Sequence, residues 1–153
     1  MLMLLFYVEN DLYALDTSQV IEIVPKIVLR SVRNVPEYFA GLFSYRGTIV
    51  PVIDLSYLIQ GKPSRSYLST RIIMVNYRGN DNNKRFLGLM AERVTETLKK
   101  PDSELVETGN RIEEASYLGE IIIDDGRMIQ QIRLEHLLSD SQHKYLLAAG
   151  ESQ

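Results

Sequence analysis

The chain of 153 residues contains no cysteine and no tryptophan, and only two histidines. Without cysteine there are no disulfides and no thiolate metal ligands, which fits a reducing compartment. His136 lies between Glu135 and Leu137, and His143 lies in a polar tail. Neither has a companion at ligand spacing, so no metal site and no cofactor is expected. The nine glycines never gather into a Gly-rich loop opening a helix, and no serine stands in a GxSxG setting. Phosphate cradles and serine-hydrolase elbows are thereby excluded. There is no excess of basic residues either. A net charge of -3 and a pI near 5.4 argue against a nucleic-acid binder, which carries a basic stripe. The apolar run MLMLLFYV is too short to span a bilayer and lacks a basic start and a small-residue cleavage site. It reads as a first strand, in a cytoplasmic protein with no direct membrane insertion.

What is present is a series of short strands. At 45% hydrophobic the chain can bury a core without staples. Leu2 to Val8 and Leu12 to Leu15 read as a hairpin, and Asp16-Thr17-Ser18 as a cap. Val20 to Val24 is β-branched and stops at Pro25. Ile27 to Val35 alternates polar and apolar residues, and Pro36 to Phe39 suits a helical turn. The most organised stretch is Arg46 to Leu55, RGTIVPVIDL, a strand leaving a tight turn at Arg46-Gly47. Pro51 has no amide proton, which predicts a strand at a sheet margin, and Asp54 is placed to cap the turn after it. Tyr57 to Arg65 reads as a connector.

From Arg71 the order of elements restarts. Ala14, Leu15, Val20 and Glu22 match Gly88, Leu89, Val94 and Glu96 at a constant offset of 74. Gly47, Ile49, Val50, Ile53, Leu55 and Leu58 match Gly126, Met128, Ile129, Ile132, Leu134 and Leu137 at an offset of 79. The pattern predicts two similar halves. No helical segment is long enough to join parallel strands by a crossover, so antiparallel barrels are expected. A helix is expected around Ile132 to Leu138, with residues 145–153 as a C-terminal tail that frays after Ala149.

Candidate chemistry is sparse. Asp124-Asp125-Gly126 reads as a hairpin turn, because adjacent strand residues point to opposite faces. A small hydrolase could use Asp54 with a second acid such as Glu92, given an enclosed polar pocket in which the carboxylates face each other. The alternative is contact surface. Tyr38, Phe39, Phe43, Tyr45 and Ile49 gather bulk around Arg46, and aromatics with arginine are enriched at interface centres.

Gly41 to Leu55, GLFSYRGTIVPVIDL, resembles the signature of CheW-like domains, whose usual form is G-hydrophobic-x-N-L-R-G-x-hydrophobic-V-P-V-I-D-L. Tyr13-Ala14-Leu15, Val20-x-Glu22-Ile23, Thr70 to Ile73, Gly88-Leu89 with Arg93-Val94, and Tyr117-Leu118-Gly119 agree in order and spacing. The resemblance implies a mostly β fold of two SH3-like five-stranded β-barrels with intertwined strands and short helices, one near the C-terminus. Residues 1–144 would form this single domain of two lobes, like the stand-alone adaptors of the family rather than the regulatory domain of the CheA kinase. It implies a non-enzymatic adaptor between the cytoplasmic tip of methyl-accepting chemoreceptors and the regulatory domain of a CheA-type histidine kinase, recruited to receptor clusters. Carried over by position, Val20, Glu22, Tyr45, Arg46 and Ile49 would face the receptor, and Leu89 and Val94 the kinase. A family member that binds only one partner, as a competitor or decoy, is the nearest alternative. Ser44-Tyr45 departs from the usual Asn-Leu, and residues 102–119 match the family poorly.

Overall fold

The computed structural model describes residues 2–65, 69–78, 84–99, 105–106 and 117–137. Among these residues eleven strands and one α-helix follow in order: β1 (Leu2–Val8), β2 (Asp11–Asp16), β3 (Val20–Pro25), β4 (Phe39–Tyr45), β5 (Thr48–Asp54), α1 (Leu55–Gln60), β6 (Arg71–Arg78), β7 (Lys84–Ala91), β8 (Arg93–Lys99), β9 (Leu105–Val106), β10 (Leu118–Asp124) and β11 (Arg127–Ile132). They form two sheets, ordered β8-β1-β2-β11-β10-β9 and β3-β6-β7-β5-β4. Apart from the two-residue β9, each sheet has five strands.

The two sheets are copies of one plan, and their registers show it. In the β4–β5 hairpin Phe39 faces Ile53, Phe43 faces Val50 and Tyr45 faces Thr48. In β10–β11, 79 residues on, Leu118 faces Ile132, Ile122 faces Ile129 and Asp124 faces Arg127. The parallel contacts repeat too, with Val52 beside Gly88 in one sheet and Gln131 beside Ala14 in the other. Even the irregularities coincide: β3 is bulged against β6 between Val20 and Glu22, and β8 against β1 between Val94 and Glu96. The duplication legible in the sequence is therefore structural. It is also intertwined, because β3 follows the first hairpin but pairs with β6, while β8 follows the second hairpin and pairs back with β1.

Three apolar clusters fill this framework. One lies inside each lobe: Met3, Leu5, Leu12, Ala14, Ile122 and Ile129 in the first, and Tyr45, Val50, Val52, Ile72, Met74 and Met90 in the second. The third is shared between the lobes and takes the alternate residues of the same strands, such as Leu4, Phe6, Ile73, Val75 and Leu89. Side chains alternate across a strand, so β1 and β6 are buried on both faces. That is why they read as unbroken apolar runs.

Several expectations are corrected. β5 is not a margin strand, since it lies between β7 and β4. The ladder to β7 starts only at Val52, so Pro51 stands just ahead of it and interrupts no bond there. Ile27 to Val35 forms no strand beyond a bridge between Arg30 and Leu42, and Val28 is almost fully exposed. Ile132 ends β11, and the expected C-terminal helix is a 3-10 turn over Leu134–His136. Leu138, with the tail 145–153, lies outside the described residues.

Candidate functional site

Arg46 and Gly47 form the two-residue tip of the β4–β5 hairpin, with φ of 51° and 78°. Two consecutive positive φ values give a tight turn whose twist matches the flanking strands, and glycine in the second position takes it without strain. The turn aims Arg46 sideways toward β3, the opposite edge of the same sheet. There Arg46 Nη2 donates to Glu22 Oε1 at 3.1 Å. The Tyr45 hydroxyl donates to the same oxygen. Glu22 thus ties the two edges of the sheet, β3 to β4, and closes the lobe across its seam.

Tyr45 is only 7% exposed, with its ring 5.4 Å edge-on from Phe86 and 6.0 Å from Phe43. Burial, and then the bond to Glu22, raise its pKa above the ordinary 10.0, against the pull of the Arg46 charge. It therefore remains a donor at neutral pH. The Arg46 guanidinium carbon lies 5.0 Å above the tyrosine ring, within cation–π range. The outer half of this cluster is open to solvent: the Arg46 and Glu22 side chains are 60% and 41% exposed.

Of the residues singled out from the sequence, Glu22, Tyr45 and Arg46 are brought into contact. Ile49 stands on the same hairpin opposite Ser44, half-buried. Val20, also half-buried, packs toward the shared core. Val94 is its counterpart in the other lobe, paired with Phe6 and packed against the same core. Leu89 requires a correction. It has 0% exposure and points into the shared core, because the parity of β7 directs Leu87, Leu89 and Ala91 inward together. It offers no side-chain surface to a partner.

The repeat also locates a cluster that motif reading passed over. Glu96, the counterpart of Glu22, accepts from Arg127 Nη1 at 2.9 Å, and Arg127 Nη2 donates to Asp124 at 2.8 Å. These bonds hold Arg127 firmly in its charged form. Asp124 occupies the position of Tyr45, so both lobes are closed by a glutamate reaching a hairpin arginine. The offset-74 match of Glu22 with Glu96 was the available signal. Beside this second seam, a cavity of about 480 Å³ is lined by Tyr7, Leu12, Ile121, Arg127 and Met128 among others.

The acid pair does not make a catalytic site. Asp54 Oδ1 caps α1 by accepting from the N–H groups of Ser56 and Tyr57, at 3.1 and 3.4 Å. Ser64 donates to this carboxylate twice, from N to Oδ2 at 2.8 Å and from Oγ to Oδ1 at 2.5 Å. Glu92, 3% exposed, is held by the Arg65 backbone N at 2.7 Å and by its guanidinium at 3.2 Å. Both carboxylates are consumed in anchoring the loop after α1, and neither lines the cavity. Among the described residues, no group of three or more His, Cys, Asp or Glu could hold a metal ion, and no helix is long and apolar enough to cross a membrane.

Comparison with known proteins agrees with this fold. The family model for the CheW-like domain matches residues 2–142. The chain is 24% identical over 134 residues to "Chemotaxis protein CheW" of Helicobacter pylori, covering 87% of this chain and 78% of that protein. It is 29% identical over 110 residues to "Probable chemotaxis protein CheW" of Rhizobium etli, covering 70% and 67%. Among solved structures, the scaffolding protein TtCheW from Thermoanaerobacter tengcongensis superposes with a TM-score of 0.79 at 26% identity, over 92% of this chain and 89% of that one.

Proposed function

The chain belongs to the CheW-like domain family, whose proteins are non-enzymatic scaffolds, and on that premise we propose that it couples the cytoplasmic tip of methyl-accepting chemoreceptors to a CheA-type histidine kinase in chemotaxis or a related two-component pathway. It works in the cytoplasm, at receptor clusters. The observation that carries the receptor side is the Glu22–Tyr45–Arg46 cluster. It is anchored in the lobe on one side and more than a third exposed on the other, which is the form of a rigid contact rather than a solvated charge. Ile49 and Val20 flank it in sequence and supply apolar area. On the kinase side Val94 remains a candidate, and with Leu89 buried the contact there falls to surface neighbours.

The physical effect of such an adaptor is to raise the local concentration of kinase at the receptor tip. Two interfaces on one domain whose halves share strands also let a change at one site bias the other, with reciprocal effect. The seam arrangement favours this, because Glu22 links β3, which is paired with the second half of the chain, to the hairpin of the first half.

Binding of a receptor-tip fragment and of the kinase regulatory domain, measured separately, tests the reading. Both bind the wild type, and Arg46→Ala weakens the receptor fragment by roughly tenfold or more, about 1.4 kcal/mol, while leaving kinase binding intact. Binding of one partner only would identify a competitor or decoy. Unchanged receptor binding by folded Arg46→Ala would remove this cluster from the interface.

A further inference from the structure

We propose that Tyr45 is a specificity-determining residue: it locks Glu22 and Arg46 into a preformed neutral pair, so that the segment docking there presents an amide side chain rather than a carboxylate. The inference deepens the receptor-contact reading above and rests on it. An exposed Arg–Glu pair by itself contributes little and is readily exchanged for another partner. Here the pair is not by itself. Glu22 Oε1 receives both the Tyr45 hydroxyl and Arg46 Nη2, and the guanidinium also lies over the tyrosine ring. The ring in turn is held by Phe43 and Phe86 and is buried. Arg46 therefore has to give up its bond to Glu22 and the ring beneath it together before it can turn outward, while the Tyr45 hydroxyl holds Glu22 in place to receive it.

This decides what the cluster offers a partner. Arg46 spends one of its five N–H donors on Glu22, and with its side chain 60% exposed it keeps other donors open to solvent. A carboxylate approaching those donors meets the Glu22 carboxylate next to them and is repelled. An Asn or Gln side chain meets no such penalty. Its carbonyl accepts from Arg46, and its NH2 donates to Glu22, whose second oxygen is the remaining acceptor of a 41% exposed group. With leucine at this position, as in the usual form of the family signature, the hydroxyl and the ring are both missing and the arginine is freer to seek an acid. The second lobe offers an internal contrast, for Asp124 takes the place of Tyr45 and binds its arginine directly.

The experiment combines a readout in the free protein with one in the complex. In free wild-type protein, 15N NMR of the Arg46 guanidinium shows hindered rotation with resolved Nη signals, and Tyr45→Phe, which keeps the ring and deletes the hydroxyl, averages them. Binding of a soluble receptor-tip fragment is then titrated against NaCl from about 50 to about 500 mM, a range over which screening shortens from beyond 10 Å to a few ångströms. The wild type shows the shallower salt dependence, and Tyr45→Phe and Tyr45→Leu both steepen it. Free rotation of the wild-type guanidinium, or a salt slope unaltered in both variants, overturns the lock. Arg46→Ala separates the two levels. If it binds the fragment as well as wild type, the receptor-contact reading fails and the specificity proposal with it. If it weakens binding while the Tyr45 variants change nothing, only the lock fails.

Discussion

Asp54 closes the signature stretch, and its replacement tests whether that carboxylate is an anchor. Its two oxygens serve different groups. Oδ1 accepts from the first-turn N–H groups of α1, while Oδ2 accepts from the Ser64 N–H 2.8 Å away. Asp54→Asn keeps a carbonyl oxygen for the helix cap, where asparagine caps as well as aspartate. It then turns an NH2 toward the Ser64 N–H, so one charge-assisted bond becomes a clash of donors, at about 1–2 kcal/mol. Asp54→Ala loses the cap as well, about 1 kcal/mol. It also leaves the Ser64 groups, part-buried beside a residue only 4% exposed, without their acceptor. The total is about 2–4 kcal/mol. With a urea slope of about 2 kcal/mol/M for a chain of this size, the alanine variant unfolds at a midpoint lower by about 1–2 M, and the asparagine variant falls between. Limited trypsin digestion gives a second readout. Arg65 follows Ser64, and freeing the loop exposes the bond after Arg65 to faster cleavage in Asp54→Ala. Equal midpoints for wild type and Asp54→Ala, with equal cleavage rates, would refute the anchoring role.

Leu89→Ala leaves a hole in the shared core and costs about 2–5 kcal/mol, read by denaturation, while kinase binding per folded molecule is unchanged. Reduced affinity in the folded fraction would return Leu89 to the interface. Gly88→Ala places a methyl 2.9 Å from Ile72 Cγ2 and 3.0 Å from Val52 Cγ2. Overpacking there, inside the second lobe, destabilises by about 1–3 kcal/mol, checked by the urea midpoint, and a neutral result would mean that Ile72 and Val52 shift aside at no cost. Tyr13, Tyr45, Tyr57 and Tyr117 all have pKa values raised above 10.0, by burial first for Tyr13, Tyr45 and Tyr117 and by the bond to Glu37 first for Tyr57. The folded state then holds these protons more tightly than the unfolded chain. Their contribution is complete below pH 10 and is lost as pH rises through the folded values. Thermal melts at pH 9 and pH 11 read this fall, and Tyr13→Phe with Tyr117→Phe reduces it.

Much of this architecture was written locally. Strand order, the two hairpin tips at Arg46-Gly47 and Asp125-Gly126, the Asp54 cap and the repeat at offsets of 74 and 79 all depend on neighbours a few residues apart, or on comparing the chain with itself. The family signature placed Glu22 and Arg46 in one region. What the sequence could not determine is which strand pairs with which. The exchange of β3 and β8 between lobes is set by burial of three apolar clusters at once, and it puts β5 inside a sheet in spite of Pro51. The same non-local pairing turned Leu89 into core, although its chemistry suits a surface contact equally well. It also brought Glu22 to Tyr45 and Arg46 across more than twenty residues, and Glu96 to Arg127 across thirty-one. A charged side chain in a sequence announces only that it needs a partner. The closure of each sheet on its own edge decides which partner it finds.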